Sequence, residues 1–238
     1  MWRSGFLFDE TQANIDAALH FGVDPWRFVR FILDWQPLLR AVEFNYDVIW
    51  FVLSFAILYF FASSPKAAAA RNRYLVTFML VWIIVGNVFA GLFMSAGPAF
   101  YGNVTGDFSR FSELLSLLAA GHNEASDGID YKAYLWHLHE NGQAGFASGI
   151  SAFPSVHVGL TVMNTLFAYE ANRVLGHLMA FYALLIAVSS VALAWHYAID
   201  GYAAAIIVCA IYFAVKHAAV RMNAPASIKL PTATAKAS

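Results

Sequence analysis

Five long apolar runs, almost free of charge, constrain the fold more than any other feature of this sequence. They cover roughly residues 46–62, 74–96, 155–171, 178–195 and 198–216. A helix needs about 20 apolar residues to cross a bilayer, so the shorter runs must borrow flanking residues or lie where the bilayer is thin. Hydrophobic residues make up 60% of the chain and charged residues only 12%, unlike an average soluble protein. We therefore expect an all-α, multi-pass membrane bundle of about five spans.

The segment before the first run mixes charged with aromatic residues. Asp24 and Pro25 are typical of a helix N-cap and first turn, and charged side chains follow at helical spacing. Such a helix either lies flat in the membrane interface or packs on the chain's own bundle. After the last run, Ala, Thr and Pro residues show no apolar period, which is typical of disorder. The sequence thus divides into an amphipathic interfacial segment, a membrane-embedded domain and a disordered cytoplasmic tail, at residues 1–45, 46–216 and 217–238.

Charge predicts the orientation in the membrane. The loop 63–73, the turn near Arg173 and the tail after Val215 carry Lys and Arg, and such short basic segments face the cytoplasm. The long loop 97–145 is mainly acidic, so we expect it on the extracytoplasmic side, periplasmic or lumenal. Two helices are expected within that loop, near 108–118 and 130–139. They either lie over the membrane surface as a lid or are ordinary surface helices.

A polar segment leading into the third apolar run is the first candidate site. Pro154 is typical of a first helical turn. The backbone N–H groups from Ser155 onward would then face outward, with the positive end of the helix dipole behind them, which suits an anion. His157 lies in that turn.

A second candidate pair lies at the junction of the last two runs. His196 and Asp200 are four residues apart. If the junction is helical they share a face, and the carboxylate would hold one imidazole nitrogen while the other points at a substrate. Both residues fall on the same extracytoplasmic side as His157. Ionisable groups at membrane depth are functional more often than not, although a buried structural histidine and an open metal triad are alternative interpretations.

Two imidazoles and a carboxylate suit phosphoryl transfer by covalent catalysis. The stretch Ser151-Ala152-Phe153-Pro154-Ser155-Val156-His157, followed by His196-Tyr197-Ala198-Ile199-Asp200, resembles the type-2 phosphatidic-acid phosphatase (lipid phosphate phosphatase) superfamily over residues 46–216. Gly97-Pro98-Ala99-Phe100-Tyr101 and Trp195-His196-Tyr197 look more like its inositol-phosphorylceramide-synthase and sphingomyelin-synthase branch. The resemblance implies His196 as nucleophile, His157 as acid for the leaving group, Asp200 as orienting carboxylate, and neither metal nor other cofactor.

Further candidates for phosphate or substrate binding belong to these motifs or to the loop beside them. For Arg110 a solvated charge, and for Tyr101 an aromatic belt, are the alternative interpretations. The set is Gly149, Ser151, Pro154, Ser155, Ser189, Tyr101 and Arg110.

Cations that the phosphatase branch uses are scarce here. Lys66 and Arg73 have the spacing of its Lys-x6-Arg-Pro motif, but Tyr74 follows in place of proline. Both residues are also predicted on the cytoplasmic side, away from the histidines, so we interpret the match as chance. Ser189-Ser190 stand where that branch has Ser-Arg. Fewer cations favour a phosphodiester donor.

The sequence therefore predicts a phosphotransferase that moves a phosphoryl or phospho-headgroup from a membrane lipid to an alcohol acceptor through a phosphohistidine. The alternatives are a lipid phosphate phosphatase with water as acceptor and a non-catalytic lipid carrier or partner subunit. The formal net charge of −1 gives no reason to expect nucleic acid as a partner, and a homo-oligomer stays open.

Overall fold

A computed structural model describes residues 5–121, 131–142 and 150–222, and within these ranges the chain is helical without strands. Among these residues, four helices are long and apolar enough to cross a membrane. They are Gln36–Ser63, Pro65–Leu92, Arg173–Ala192 and Ala198–Met222. The predicted all-α, multi-pass membrane bundle is confirmed.

The first two of these helices are interrupted by π-helical turns, which are rare and often occur at functional sites. The first consists of α3 (Gln36–Phe44), a π turn (Asn45–Ile49) and α4 (Trp50–Ser63). The second consists of a 3₁₀ turn (Pro65–Ala67), α5 (Ala68–Ile83), a π turn (Ile84–Phe89) and α6 (Ala90–Leu92). The first span therefore begins about ten residues before the apolar run that predicted it.

The third apolar run, the third of the five expected spans, forms a shorter helix than the other four. This helix, α10 (Val156–Ala171), has 16 residues and is about 24 Å long, whereas the apolar core of a bilayer is about 30 Å thick. It packs against α4, α5, α11 (Arg173–Ala192) and α12 (Ala198–Met222), and most of its residues are buried. Its sequence is apolar because other helices surround it.

Small residues let α12 approach this central helix. A Cβ atom built at Gly159 would lie 3.3 Å from the Val208 side chain and 3.8 Å from Ala204 Cβ. At the far end of α10, Glu170 accepts two hydrogen bonds from Arg73 of α5, at 2.8 and 2.9 Å, and pairs with Lys216 of α12 at 3.0 Å. These contacts fasten the end of the bundle that lies opposite His157.

The N-terminal segment forms α1 (Asp9–Leu19), a 3₁₀ turn (Pro25–Val29) and α2 (Arg30–Asp34). Pro25 occupies the first turn after Asp24, as predicted. Arg27 and Arg30 both donate to the carboxylate of Glu113 in the long loop, Arg27 at 2.7 Å.

The long loop contains the two predicted helices. It begins with a 3₁₀ turn (Pro98–Phe100). Three helices follow, which are α7 (Tyr101–Thr105), α8 (Ser112–Gly121) and α9 (Tyr131–Glu140). At the other end of the chain, α12 continues through Met222. The remainder of the predicted disordered tail lies outside the described residues.

Candidate active site

His157 lies in the first turn of α10, and the start of this helix differs from the prediction. The helix begins at Val156 with Ser155 as its N-cap, whose hydroxyl accepts a 3.4 Å hydrogen bond from a first-turn amide. Pro154 therefore precedes the cap instead of occupying the first turn, because a serine oxygen supplies the capping acceptor. The Ser155 N–H donates to the backbone carbonyl of Asp200 at 3.2 Å.

Two aromatic rings of the first span hold the imidazole of His157. The Tyr46 ring stacks on it at 4.6 Å between centroids, and the Trp50 ring lies at 3.9 Å. The Trp50 indole N–H also donates to the His157 carbonyl and to the Thr161 hydroxyl, each at 3.1 Å. Ring and backbone of His157 are thus fixed by the same segment, of which Tyr46 belongs to the π-helical turn.

His196 lies in a turn, which corrects the expected helical junction. Helix α11 ends at Ala192, and the next residues form a Schellman motif: the Ala194 N–H donates to Val191 at 3.1 Å and the Trp195 N–H to Ser190 at 3.0 Å. Ala194 has φ +61°, a conformation that usually selects glycine and costs other residues about 1–2 kcal/mol. This motif ends α11 before His196, so α12 starts anew at Ala198.

The turn nevertheless brings His196 to Asp200. The Nδ1 atom of His196 lies 2.6 Å from the Ala152 carbonyl oxygen and 3.3 Å from Asp200 Oδ2. The same carboxylate oxygen accepts a 2.9 Å bond from the Tyr197 N–H. Both partners of Nδ1 are acceptors, so Nδ1 carries the proton and Nε2 keeps its lone pair.

The two histidines face each other. Their ring centroids are 6.3 Å apart with 60° between the ring planes. Each ring can reach a reacting atom or a hydrogen-bond partner about 3 Å from its nitrogen. One phosphoryl group between the rings could therefore contact both.

The other predicted motif residues are only partly directed at this pair. The exposed Ser151 hydroxyl makes a long 3.5 Å contact with the Phe153 carbonyl. Ser189 is buried in α11 and donates to the Leu185 carbonyl at 2.6 Å, within its own helix. Gly149 lies outside the described residues.

The two predicted loop residues have partners within the protein. Arg110 pairs with Asp24 at 2.8 Å and donates to the Asn14 side chain at 2.7 Å. Tyr101 is buried and meets the Phe111 ring edge-on, 5.1 Å between centroids. Arg110 thus ties the loop to the N-terminal segment.

Two acidic residues near the site were missed from the sequence. Asp9 and Asp16 of α1 are 1% and 2% exposed and bind backbone amides beside His196 and Asp200. Burial raises the pKa of both carboxyls, while the hydrogen bonds from those amides lower it. Their seven-residue spacing, which is two helical turns, was the signal in the sequence. Tyr46 and Trp50 were also missed, and their signal was a four-residue spacing.

Lys66 and Arg73, which match the spacing of a phosphatase motif, are remote from the histidines. Arg73 pairs with Glu170, thirteen residues beyond His157 on the same helix and therefore roughly 20 Å away. Among the described residues, no group of three or more His, Cys, Asp or Glu side chains is arranged to hold a metal ion.

Comparison with curated proteins and with solved structures finds no match in either set. One family model, described as the PAP2 superfamily, matches residues 11–214. The matched region contains His157, His196 and Asp200, and it starts within α1, well before residue 46 where the sequence resemblance began. By this match the chain belongs to the PAP2 superfamily.

Proposed function

We propose that this protein is an integral-membrane phosphotransferase that moves a phosphoryl or phospho-headgroup from a lipid donor to an alcohol acceptor through a phosphohistidine on His196. Membership of the PAP2 superfamily supports an enzyme of the lipid phosphatase or phosphotransferase type. The observation that carries the mechanism is the pair of acceptors on His196 Nδ1, which leaves Nε2 free to attack beside His157.

The proposed reaction has two steps. His196 Nε2 attacks phosphorus, the P–N bond forms, and the P–O bond to the leaving group breaks while protonated His157 gives its proton to the departing oxygen. His157, now neutral, then takes the proton of the acceptor hydroxyl, whose oxygen attacks the phosphohistidine and restores His196. Asp200 stabilises the positive imidazole ring that forms in the first step.

The surroundings of the histidines favour a phosphodiester donor. Among the described residues, the groups that contact the two rings are aromatic side chains, a carbonyl and a carboxylate. A phosphate monoester carries two negative charges and is usually held by Arg or Lys, whereas a diester carries one. The sequence resemblance to the inositol-phosphorylceramide and sphingomyelin synthase branch is in keeping with this proposed preference. We propose further that the site faces the extracytoplasmic side, because the basic loop 63–73 lies at the opposite end of the bundle.

One observation favours the phosphatase alternative. Lys132 of α9 donates to the Leu193 carbonyl at 2.9 Å, and its ammonium group lies 5.1 Å from the centre of the Trp195 ring. Trp195 is the residue before His196, so a cation at this position would help to hold a monoester. Lys132→Gln tests this: it should impair hydrolysis of a monoester more than transfer from a diester if water is the natural acceptor.

Product analysis in reconstituted vesicles tests the proposal. The purified protein is incubated with mixed lipid extract, with and without inositol, ceramide or diacylglycerol, and products are followed by mass spectrometry. New phosphodiesters should appear only with an acceptor and should vanish in His196→Ala, while His177→Ala, an exposed histidine bonded to Tyr169, should behave as the wild type. Free phosphate from monoesters alone would support the phosphatase. Unchanged product formation in His196→Ala would refute the mechanism, whereas no product from the wild type would support a non-catalytic carrier.

A further inference from the structure

Two buried carboxylates of helix α1, Asp9 and Asp16, lie behind the histidine pair. Asp16 accepts hydrogen bonds from the backbone N–H groups of Ala198 and Ile199, each at 3.0 Å. These are the first amides of α12, which have no partner inside their own helix. A carboxylate there also interacts favourably with the positive end of the helix dipole. Asp16 thus caps, from a distant part of the chain, the turn that carries Asp200.

Asp9 binds Ala96 and Gly97, in the loop that follows the second span. Its carboxylate accepts from the Ala96 and Gly97 N–H groups at 2.8 and 2.9 Å and from the Tyr197 hydroxyl at 2.9 Å. Tyr197 follows His196 directly, so this contact fixes the turn that holds the nucleophile.

The same loop reaches His196 by a second route. The Ser95 carbonyl accepts a 2.8 Å bond from the Ala152 N–H, and the Ala152 carbonyl in turn accepts from His196 Nδ1 at 2.6 Å. Gly97 packs so closely on this turn that a Cβ would lie 2.6 Å from the Trp195 carbonyl oxygen. Both acceptors of His196 Nδ1 are therefore held in place by α1.

We propose, on the basis of the function proposed above, that Asp9 and Asp16 are positioning residues of the active site: Asp16 fixes the Asp200 carboxylate and Asp9 fixes the Ala152 carbonyl, so that together they orient His196. Two buried carboxylates are a costly way to attach a helix, since apolar side chains of similar size often stabilise a fold better. Carboxylates give what apolar contacts lack, which is a defined direction for each backbone amide.

Steady-state kinetics of Asp9→Asn and Asp16→Asn tests this role. Asn keeps the shape and one acceptor oxygen but turns an NH₂ group toward the second amide. We expect kcat to fall about tenfold or more with KM changed by less than about twofold, since small displacements of reacting groups cost rate and not binding. Glu10→Gln is the matched control, because Glu10 is an exposed carboxylate of the same helix; its kinetics should equal those of the wild type.

A double-mutant cycle separates positioning from simple support of the fold. If Asp16 acts through Asp200, Asp16→Asn should change kcat by less than about twofold in a background that already carries Asp200→Asn. Effects that multiply would overturn the proposal, as would a loss of kcat that merely follows the amount of folded protein in a thermal melt. His196→Ala measured alongside distinguishes the two levels: an active His196→Ala refutes the proposed function, whereas an inactive His196→Ala with fully active Asp16→Asn refutes only the positioning role.

Discussion

Replacing Asp200 with Asn should slow the reaction by a moderate factor, and the structure allows the factor to be worked out. His196 Nδ1 has two acceptors, and the Ala152 carbonyl at 2.6 Å is closer than Asp200 Oδ2 at 3.3 Å. The substitution leaves that carbonyl untouched, so Nδ1 keeps its proton and Nε2 its lone pair. The loss is the negative charge that strengthens this contact and stabilises the positive ring, about 1.5–3 kcal/mol for an interaction with a charged group. At about 1.4 kcal/mol per tenfold change, kcat should fall roughly 10- to 100-fold.

The fold should tolerate this substitution. An Asn oxygen still accepts the 2.9 Å bond from the Tyr197 N–H, and a buried charge is removed. We therefore expect the unfolding free energy to change by about 1 kcal/mol or less. Asp107→Asn serves as control, since Asp107 is an exposed carboxylate bonded to Ser109 in the long loop.

Initial rates with a phosphodiester lipid donor in mixed micelles, together with a thermal melt, measure both quantities. If the rate falls about 10⁴-fold or more while the protein stays folded, the carboxylate alone sets the tautomer of His196. That result would refute the role given to the Ala152 carbonyl. An unchanged rate would show that Asp200 does not act on His196 at all.

Three further predictions concern His157, Gly97 and the carboxylates of α1. His157→Ala should reduce turnover about 10²- to 10⁴-fold with an alcohol leaving group but far less with p-nitrophenol, which departs without a proton; equal losses in a leaving-group series would show that His157 is not the acid. Gly97→Ala, at φ +88° with a Cβ 2.6 Å from the Trp195 carbonyl oxygen, should destabilise the protein by more than about 2 kcal/mol. Gly106→Ala, at φ +80° with open space around it, should cost only about 1 kcal/mol, so equal melting shifts would contradict the clash. Burial raises the pKa of Asp9 and Asp16 above the ordinary value of 3.8, so their protonated forms stabilise the fold below that value and this contribution is lost as pH rises through the raised pKa. Melting temperature against pH should accordingly fall less steeply in the Asp9→Asn, Asp16→Asn double variant, and an identical slope would contradict the shift.

Local patterns in the sequence were enough for the class of fold and for the candidate residues. Apolar runs of span length predict membrane helices because a helix satisfies its own backbone polar groups wherever it lies. The family motifs are equally local: Ser155 and His157 are two residues apart, and His196 and Asp200 four. The two aromatic rings on His157 come from a different helix, where their own four-residue spacing was the one local signal.

Only the tertiary structure decided what surrounds each of these segments. An apolar helix of 16 residues has the same composition whether lipid or protein covers it, so the central position of α10 was invisible to a count of spans. The second acceptor of His196 is a backbone carbonyl 44 residues away, and Asp16 binds amides more than 180 residues away. Backbone groups carry no mark in the sequence, and contacts at such separations follow from packing alone. For this reason the sequence determined which residues could react, and the fold determined how they are held.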